Sequence, residues 1–461
     1  MAARRAETRT GGRAATTGTI AGDFALSVGM PERPAPEGWR WTKITDVARL
    51  ETGHTPSRKH PEYWGGDVPW IGIRDATGNH GQTIYDTLQH TNELGIANSS
   101  ARILPENTVC LSRTASVGYV VVMGRPMATS QDFVNWVCSS ELDYRFLKYV
   151  LLSEQSAFLR FASGTTHQTI YFPEVKAFHV CLPSPAEQGA IGHILQTLDD
   201  KIEVNRRMSA TLESMARALF KSWFVDFEPV RAKAAGRDPS LPSHLSALFP
   251  DRLTEVEYGE VPEGWEVKPL SEVAEFLNGL ALQKYPASDL DDSLPVIKIA
   301  ELRNGVTAKS DRASRDVPGK YFVKDGDFLF SWSGSLLAKF WTEGDGALNQ
   351  HLFKVTSDRY PNWFFAEWVQ VHLEEFQRIA AFKATTMGHI QRGHLQAAMT
   401  NCPPDDVLAA LGHTISPLVE RGIQVDLESR TLAAIRDTLL PQLISGNLRV
   451  RDAETYLDRV L

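Results

Sequence analysis

The chain repeats itself over most of its length. Pro36-Glu37-Gly38-Trp39 returns as Pro262-Glu263-Gly264-Trp265, an offset of 226. At that offset Gly53 matches Gly279, and Pro69-Trp70-Ile71-Gly72-Ile73 matches Pro295-Val296-Ile297-Lys298-Ile299. The offset then drifts to 219, where Val109, Ser112, Ser116, Ala128 and Gln131 align with Phe328, Ser331, Ser335, Ala347 and Gln350. At the end of each copy it is 220: Thr165-Thr166, Ile170, Pro183 and Gly192 match Thr385-Thr386, Ile390, Pro403 and Gly412. Small drifts are loop insertions. A repeat of this length is a duplicated domain, not a solenoid of short units. With 461 residues, each copy has enough chain to bury a core of its own. A duplicated protein is suited to a two-part target or to two copies of a partner.

Each copy divides into a mixed part and a helical part. In the first copy, short apolar runs predict strands over 68–73, 108–111, 119–123 and 133–138. The second copy repeats them over 294–299, 327–331, 338–341 and 352–356. Helical patterns at 144–161 and 362–382 follow. Strands with one or two helices predict an α+β domain with a small curved sheet. The helical part opens on Ser184-Pro185-Ala186-Glu187, a capping box with proline at the first helical position. Heptad-spaced apolar residues come next: Ile191, Ile194, Leu198, Met208, Leu212, Met215 and Leu219. In the other copy they are Leu411, Leu418, Val425, Leu432, Ile435 and Leu439, in the same frame. Asp199-Asp200 and Ser416-Pro417 each predict a break, leaving arms over 201–225 and 418–445. The two stripes can satisfy each other as an antiparallel coiled coil, with Lys201 and Asn205 in the seam. The resulting division is a disordered tail (1–35), a first mixed domain (36–184), a central helix (185–226), a linker (227–261), a second mixed domain (262–403), a distal helix (404–447) and a C-terminal tail (448–461).

The formal charge of −8 counts against a chain that holds nucleic acid by bulk electrostatics. It leaves room for basic residues gathered on one face. Arg4, Arg5, Arg9 and Arg13 at the start read as a disordered segment; a transit peptide and a basic arm on DNA are the alternatives. Cys110, Cys138, Cys181 and Cys402 are far apart, which predicts reduced thiols, a cytoplasmic chain and no cysteine zinc site. No stretch is apolar enough to span a bilayer.

The duplication, the shared heptads and the run Ala218-Leu219-Phe220-Lys221-Ser222-Trp223-Phe224-Val225-Asp226-Phe227 together resemble the specificity (S) subunits of type I restriction-modification systems. Arg436 to Gly446, and Glu187-Gln188 followed by Ile191 and Leu198-Asp199, also fit that family's pattern. The resemblance covers about residues 36–447. It implies that each mixed domain is a target recognition domain reading one half of a bipartite site on double-stranded DNA. It implies that the paired helices dock two modification subunits, with motor-nuclease restriction subunits joining them. S-adenosylmethionine, ATP and Mg are then expected on those partners, and this chain binds no cofactor and carries no catalytic residue.

The residues by themselves point the same way. A DNA methyltransferase needs an Asn/Asp-Pro-Pro-aromatic motif; Asn401-Cys402-Pro403-Pro404-Asp405 has an inserted residue and no aromatic, and reads as a helix start. There is no phosphate loop. His389 and His394 lack a metal-ligand pattern. Polar loops remain. Thr55, Ser57, Arg58, Lys59 and Tyr63 form one, Arg113 follows a strand, and Thr165, Thr166, His167 and Gln168 form another. In the second copy Ser331 and Ser333 are the counterparts of the strand end at Arg113, Thr385, Thr386, His389, Gln391 and Arg392 lie in or beside the counterpart of the second loop, and Lys284, Lys298 and Arg303 are further candidates. Such side chains read base edges or hold phosphates. Leu212, Met215, Leu219, Leu432, Ile435 and Leu439 are the candidate partner-docking residues. The rival readings are a self-contained methyltransferase or nuclease with degenerate motifs, and a twin-module scaffold that binds no DNA.

Overall fold

The computed structural model describes residues 18–163, 168–382 and 388–460. The chain forms two compact units. One draws on the chain up to Asp200 and again from Ala433; the other is Lys201–Leu432. Among the described residues no helix is long and apolar enough to cross a membrane.

In the first unit a five-stranded sheet runs in the order Ala48–Thr52, Phe133–Cys138, Val109–Ser112, Val120–Met123, Thr83–Ile84. Its central strands are β-branched and aromatic, and Val109, Val120, Val121, Val122, Phe133, Val134 and Trp136 are all buried. Trp64–Ile71 runs parallel to Ala128–Thr129 beside it. The second unit repeats this ladder by ladder. Phe133 lies opposite Ser112, and Leu352 opposite Ser331. Val134 lies opposite Thr52, and Phe353 opposite Asn278. Trp70 pairs with Ala128, and Val296 with Ala347. Leu182 pairs with Arg40, and Cys402 with Glu266. A slip of one residue would turn every side chain to the other face. Four matching registers therefore mean one α+β fold built twice.

Gly53 and Gly279 show what the repeat protects. A Cβ on Gly53 would sit 1.9 Å from the Ser130 carbonyl oxygen, and one on Gly279 would sit 2.3 Å from that of Asn349. Both distances are impossible for a side chain, so backbone passes over backbone at the same place in each copy.

The helices are longer than expected. Pro185–Phe220 and Asp405–Ile444 are continuous, of 36 and 40 residues. Neither breaks where Asp199-Asp200 and Ser416-Pro417 predict it. Pro417 is exposed, so solvent can serve the carbonyl its missing N–H leaves unpaired, and packing elsewhere along the helix outweighs the ~3 kcal/mol that an interior proline costs. The pairing is antiparallel within each unit. In the first, Asp199 meets Arg436 and Glu187 meets Arg449. In the second, Lys201 meets Glu428 and Ser209 meets Asp426. Asn205 is buried in the seam, and both its amide atoms lack partners. Lys201 is exposed instead. The stripe also leaves strict heptads near the end of the central helix. It passes from Leu212 to Ala216 and Phe220, the four-residue steps of an unstrained helix, and leaves Met215 49% exposed.

Three further expectations change. Residues 18–35 are not a disordered tail: Ile20–Ala21 pairs with Leu26–Val28, which pairs in turn with Phe178–Leu182. The cause is Glu154, whose carboxylate accepts the backbone N–H groups of Asp23, Phe24 (2.7 Å), Ala25 (2.7 Å) and Leu26 (3.1 Å). A Glu154→Ala variant should lose about 2–3 kcal/mol, because four N–H groups lose a charged acceptor. Denaturant melts, with proteolysis mapped to residues 18–30, measure this. Residues 227–261 are not a free linker either, since Phe227, Val230 and Phe249 enter the second unit's core. Lastly, Val450–Val460 is a helix, and Arg449 just before it donates to the Glu37 carbonyl at 3.2 Å.

Candidate functional site

In both units the loops at one corner of the main sheet are held by the same bonds. Arg113 and Trp332 occupy equivalent positions. The Arg113 N–H donates to the Asp132 carbonyl (2.8 Å), and the Trp332 N–H to that of His351 (3.3 Å). Their own carbonyls accept from Ile170 (2.8 Å) and Ile390 (3.0 Å). Their side chains, a guanidinium and an indole, donate to the Gln131 carbonyl at 3.0 Å and the Gln350 carbonyl at 3.1 Å. Just beyond, Thr114 bridges Thr169 and Ser333 bridges His389. Two different side chains thus do one structural task.

In the first unit this brings Thr55, Arg113 and the Gln168 loop together. Thr55 Oγ1 donates to Gln131 Oε1, and Thr114 and Thr169 share a 2.7 Å bond. Burial pulls the Arg113 guanidinium below its usual range, opposed by Asp132 and Tyr171; it remains a cation, packed 4.8 Å from the Phe172 ring. A neighbouring group centres on Arg58. Its guanidinium lies 3.7 Å from the Trp64 ring and 5.1 Å from Trp70, and donates to Gln89 Oε1 at 2.7 Å. Cation–π contact fixes the stem of an exposed arginine. The Trp70 indole donates to the His54 carbonyl at 3.1 Å, which ties this group to the first. Tyr63 stacks on His60 at 4.9 Å, and Ser57 and Lys59 are exposed on the same loop.

The second unit is built from different side chains. Trp332 donates to Asn278 at 2.9 Å and packs against His351 and His389 at 5.9 and 6.2 Å. Arg303 reaches Ser335 at 2.5 Å. Gln391 and Arg392 are exposed where a short helix, Arg392–Ala397, begins, and His394 Nδ1 accepts the Gln391 N–H at 3.0 Å. Lys284 is exposed on the turn Leu282–Lys284, and Lys298 is turned to Asp311.

Several expected contacts are corrected. Ser331 and Ser333 are buried and cannot touch a ligand; Ser331 accepts the Leu337 N–H at 2.8 Å and Ser333 bonds His351 at 3.0 Å. Leu432, Ile435 and Leu439 are covered by the chain itself, and Leu212 and Leu219 are half-buried, so of the six docking candidates Met215 is the exposed one. By contrast, Asn401-Cys402-Pro403-Pro404-Asp405 does lead into a helix, which begins at Asp405; Asn401 itself lies in the strand Met399–Cys402 and donates to the Phe224 carbonyl at 2.9 Å. Thr165, Thr166, His167, Thr385 and Thr386 lie outside the described residues. Sequence reasoning aligned Gln131 with Gln350 but did not place them in the site, and it missed Gln89, Asn278 and His351. Only the first pair had a signal, the repeat itself. Among the described residues, no three His, Cys, Asp or Glu side chains are grouped to hold a metal ion.

Comparison with known proteins places this architecture. Residues 36–214 match the family model of the type I restriction modification DNA specificity domain. The chain is 27% identical over 435 residues to the type I restriction enzyme MjaIX specificity subunit of Methanocaldococcus jannaschii, covering 90% of this chain and 95% of that one. It is 26% identical over 386 residues to the HindI specificity subunit of Haemophilus influenzae, covering 70% and 84%. The crystal structure of a type I restriction-modification S subunit from M. genitalium has the same fold, with a TM-score of 0.53 at 16% identity over 88% of this chain and 96% of that one.

Proposed function

This chain belongs to the specificity subunits of type I restriction-modification systems, and from that premise we propose that it reads a two-part site on double-stranded DNA, one part with each unit. The observation that supports this best is the loop corner. One scaffold is built twice in the same register, yet its exposed side chains differ between the copies. Identical scaffolds with different surfaces suit two different half-sites.

Arg58, Lys59 and Arg392 have the chemistry to hold phosphates or to fork onto guanine, and Gln168 and Gln391 to pair with adenine. The acidic total of −8 then belongs to the rest of the surface. The chain supplies address, not chemistry. Two modification subunits that bind S-adenosylmethionine would flip and methylate an adenine, since its amine cannot be reached inside the duplex. Restriction subunits using ATP and Mg would join them, in the cytoplasm. Docking would use what the seam leaves outside on the central helix, where Val204 and Met215 are 52% and 49% exposed.

Methylation sequencing of DNA from a host carrying this chain and its partners tests the reading, and a two-part motif is expected. A motif in one block, or none, would count against it. In vitro, affinity for duplex DNA should fall by roughly 10³ or more between 50 and 200 mM salt if six or more phosphates are held. Salt-independent binding, or no binding by the assembled complex, would favour a scaffold that does not touch DNA.

A further inference from the structure

The second unit contains a cavity of about 170 Å³ between the two long helices, the helix Asn362–Phe382 and the sheet. Glu367 lines it and is only 6% exposed, and its Oε2 has no hydrogen-bond partner. Glu213 and Asp426 line it too, and Phe328, Phe340, Leu418, Val419 and Ile423 supply apolar walls. A buried carboxylate without a partner is costly and calls for an explanation.

The first unit shows what fills the equivalent place. The equivalent helices begin at Tyr144 and Asn362, an offset of 218, so Glu367 stands where Tyr149 does and Ala366 where Lys148 does. Lys148 is 1% exposed but satisfied: its ammonium donates to Tyr149 (3.0 Å), Gln196 (2.7 Å) and Asp199 (3.5 Å). In the second copy this network is gone: Ala366 replaces Lys148, Glu367 replaces Tyr149, and Val419 replaces Asp199 at an offset of 220. The cation and its carboxylate partner have been removed, and a different carboxylate is left facing a cavity.

We propose that this cavity binds a short aliphatic diamine, one ammonium seated on Glu367 and the other towards Asp426, with the alkyl chain between them against the apolar wall. A bare metal ion fits less well, because the walls offer methyl and aromatic groups where an ion of that kind needs further oxygens. Lys339 also lines the cavity and weakens the acidity shift of Asp426, yet it makes no hydrogen bond to Glu367. The inference does not depend on how the loops read DNA.

Burial pushes Glu367 up to about 7, helped by Glu213 and opposed by Arg217. Burial also raises Asp426, opposed by Ser209 and Lys339 and assisted by Glu213 and Glu343. Seating an ammonium ionises the carboxylate, so affinity should rise from pH 6 to pH 8 with release of a proton.

Titration calorimetry of the full chain with 1,4-diaminobutane tests this, with 1,4-butanediol as the uncharged isostere and MgCl2 as an ionic-strength control. The diamine should bind saturably at one site, and the diol and Mg should not. Glu367→Gln should weaken binding at least tenfold. Asp426→Asn should also weaken it, while circular dichroism of both variants stays that of the parent. No saturable binding to the parent, or equal binding to Glu367→Gln, overturns the proposal. So does displacement of the diamine by MgCl2 at matched ionic strength.

Discussion

An Asp199→Ala variant is expected to lose about 3–5 kcal/mol of stability, because it strips the shared partner from the buried Lys148 and the half-buried Arg436. Asp199 Oδ2 accepts the Tyr149 hydroxyl at 2.6 Å and faces Lys148, and Oδ1 accepts from Arg436 at 2.8 Å. One carboxylate thereby joins the helix Tyr144–Ser153, the central helix and the distal helix inside the first unit. Asp199→Asn should lose less, since it can keep the Tyr149 bond. Pairing Asp199→Ala with Lys148→Met should recover much of the loss, because an apolar replacement leaves no orphan charge. The pH dependence has a definite sign. Burial holds Lys148 below its usual range, with Asp199 opposing. The native state therefore binds fewer protons than the unfolded chain in the window between the lowered value and ~10.4, and stability rises with pH there. Without Asp199 the native value falls further and the window widens downward, so the deficit of the variant should shrink from pH 7 to pH 10. Urea melts at both pH values decide it. A loss under about 1 kcal/mol would mean that the network is decorative.

What the sequence disclosed, and what it hid, follows the range of the interactions. Strand positions and the twin architecture were legible because the repeat supplies two readings of one fold; strand order and register were not. Where Val68 to Ile73 suggests a strand, the structure has Trp64–Ile71, and its partner in the second copy lies at the matching offset. The antiparallel helices were legible because Leu198 and Leu418, Leu212 and Leu432, share a frame. The segments misread as tail and linker depend on contacts far apart in sequence. Nothing near residues 18–35 reveals that Glu154 will collect four of their N–H groups. Nothing in the charged, proline-rich stretch 227–261 reveals that Phe227 and Phe249 sit against Trp265 and Trp223.

The site divides in the same way. The loops were found because they recur, but their roles were not. Ser331 and Ser333 looked exposed as polar residues after a strand; the Leu337 N–H and His351 claim them. Arg113 looked like a reader and is half a scaffold, since its equivalent is Trp332 and both grip a glutamine carbonyl. A residue type that repeats in function but not in identity cannot be sorted by sequence alone. The seam shows the limit from the other side: Met215 fits the heptad count, and only the four-residue steps to Ala216 and Phe220 put it outside.

Division of DNA reading between the two units gives the remaining large effect. Arg58→Ala combined with Gln168→Ala removes two exposed reading groups from the first unit and should relax one part of the methylation motif only. Gln391→Ala with Arg392→Ala should relax the other part only. Each lost base contact is worth about 1–3 kcal/mol of discrimination, so each pair should cost roughly 30- to 10⁴-fold against the parent target. Because the pairs belong to different units with no shared partners, the losses should add in the fourfold variant. Lys59→Ala is the contrast: a phosphate contact should weaken binding evenly across sequences and reduce the salt slope by about one. Arg113→Ala is a second contrast, expected to blur the first half-site through loss of the Gln131 anchor and to lower the stability of the first unit with it. Motif maps of each assembled variant, with competition binding against single-base changes, supply the readout. If both pairs blur the same half of the motif, the units do not divide the target. If all variants lose affinity equally for every sequence, these loops hold the DNA backbone and the bases are read elsewhere.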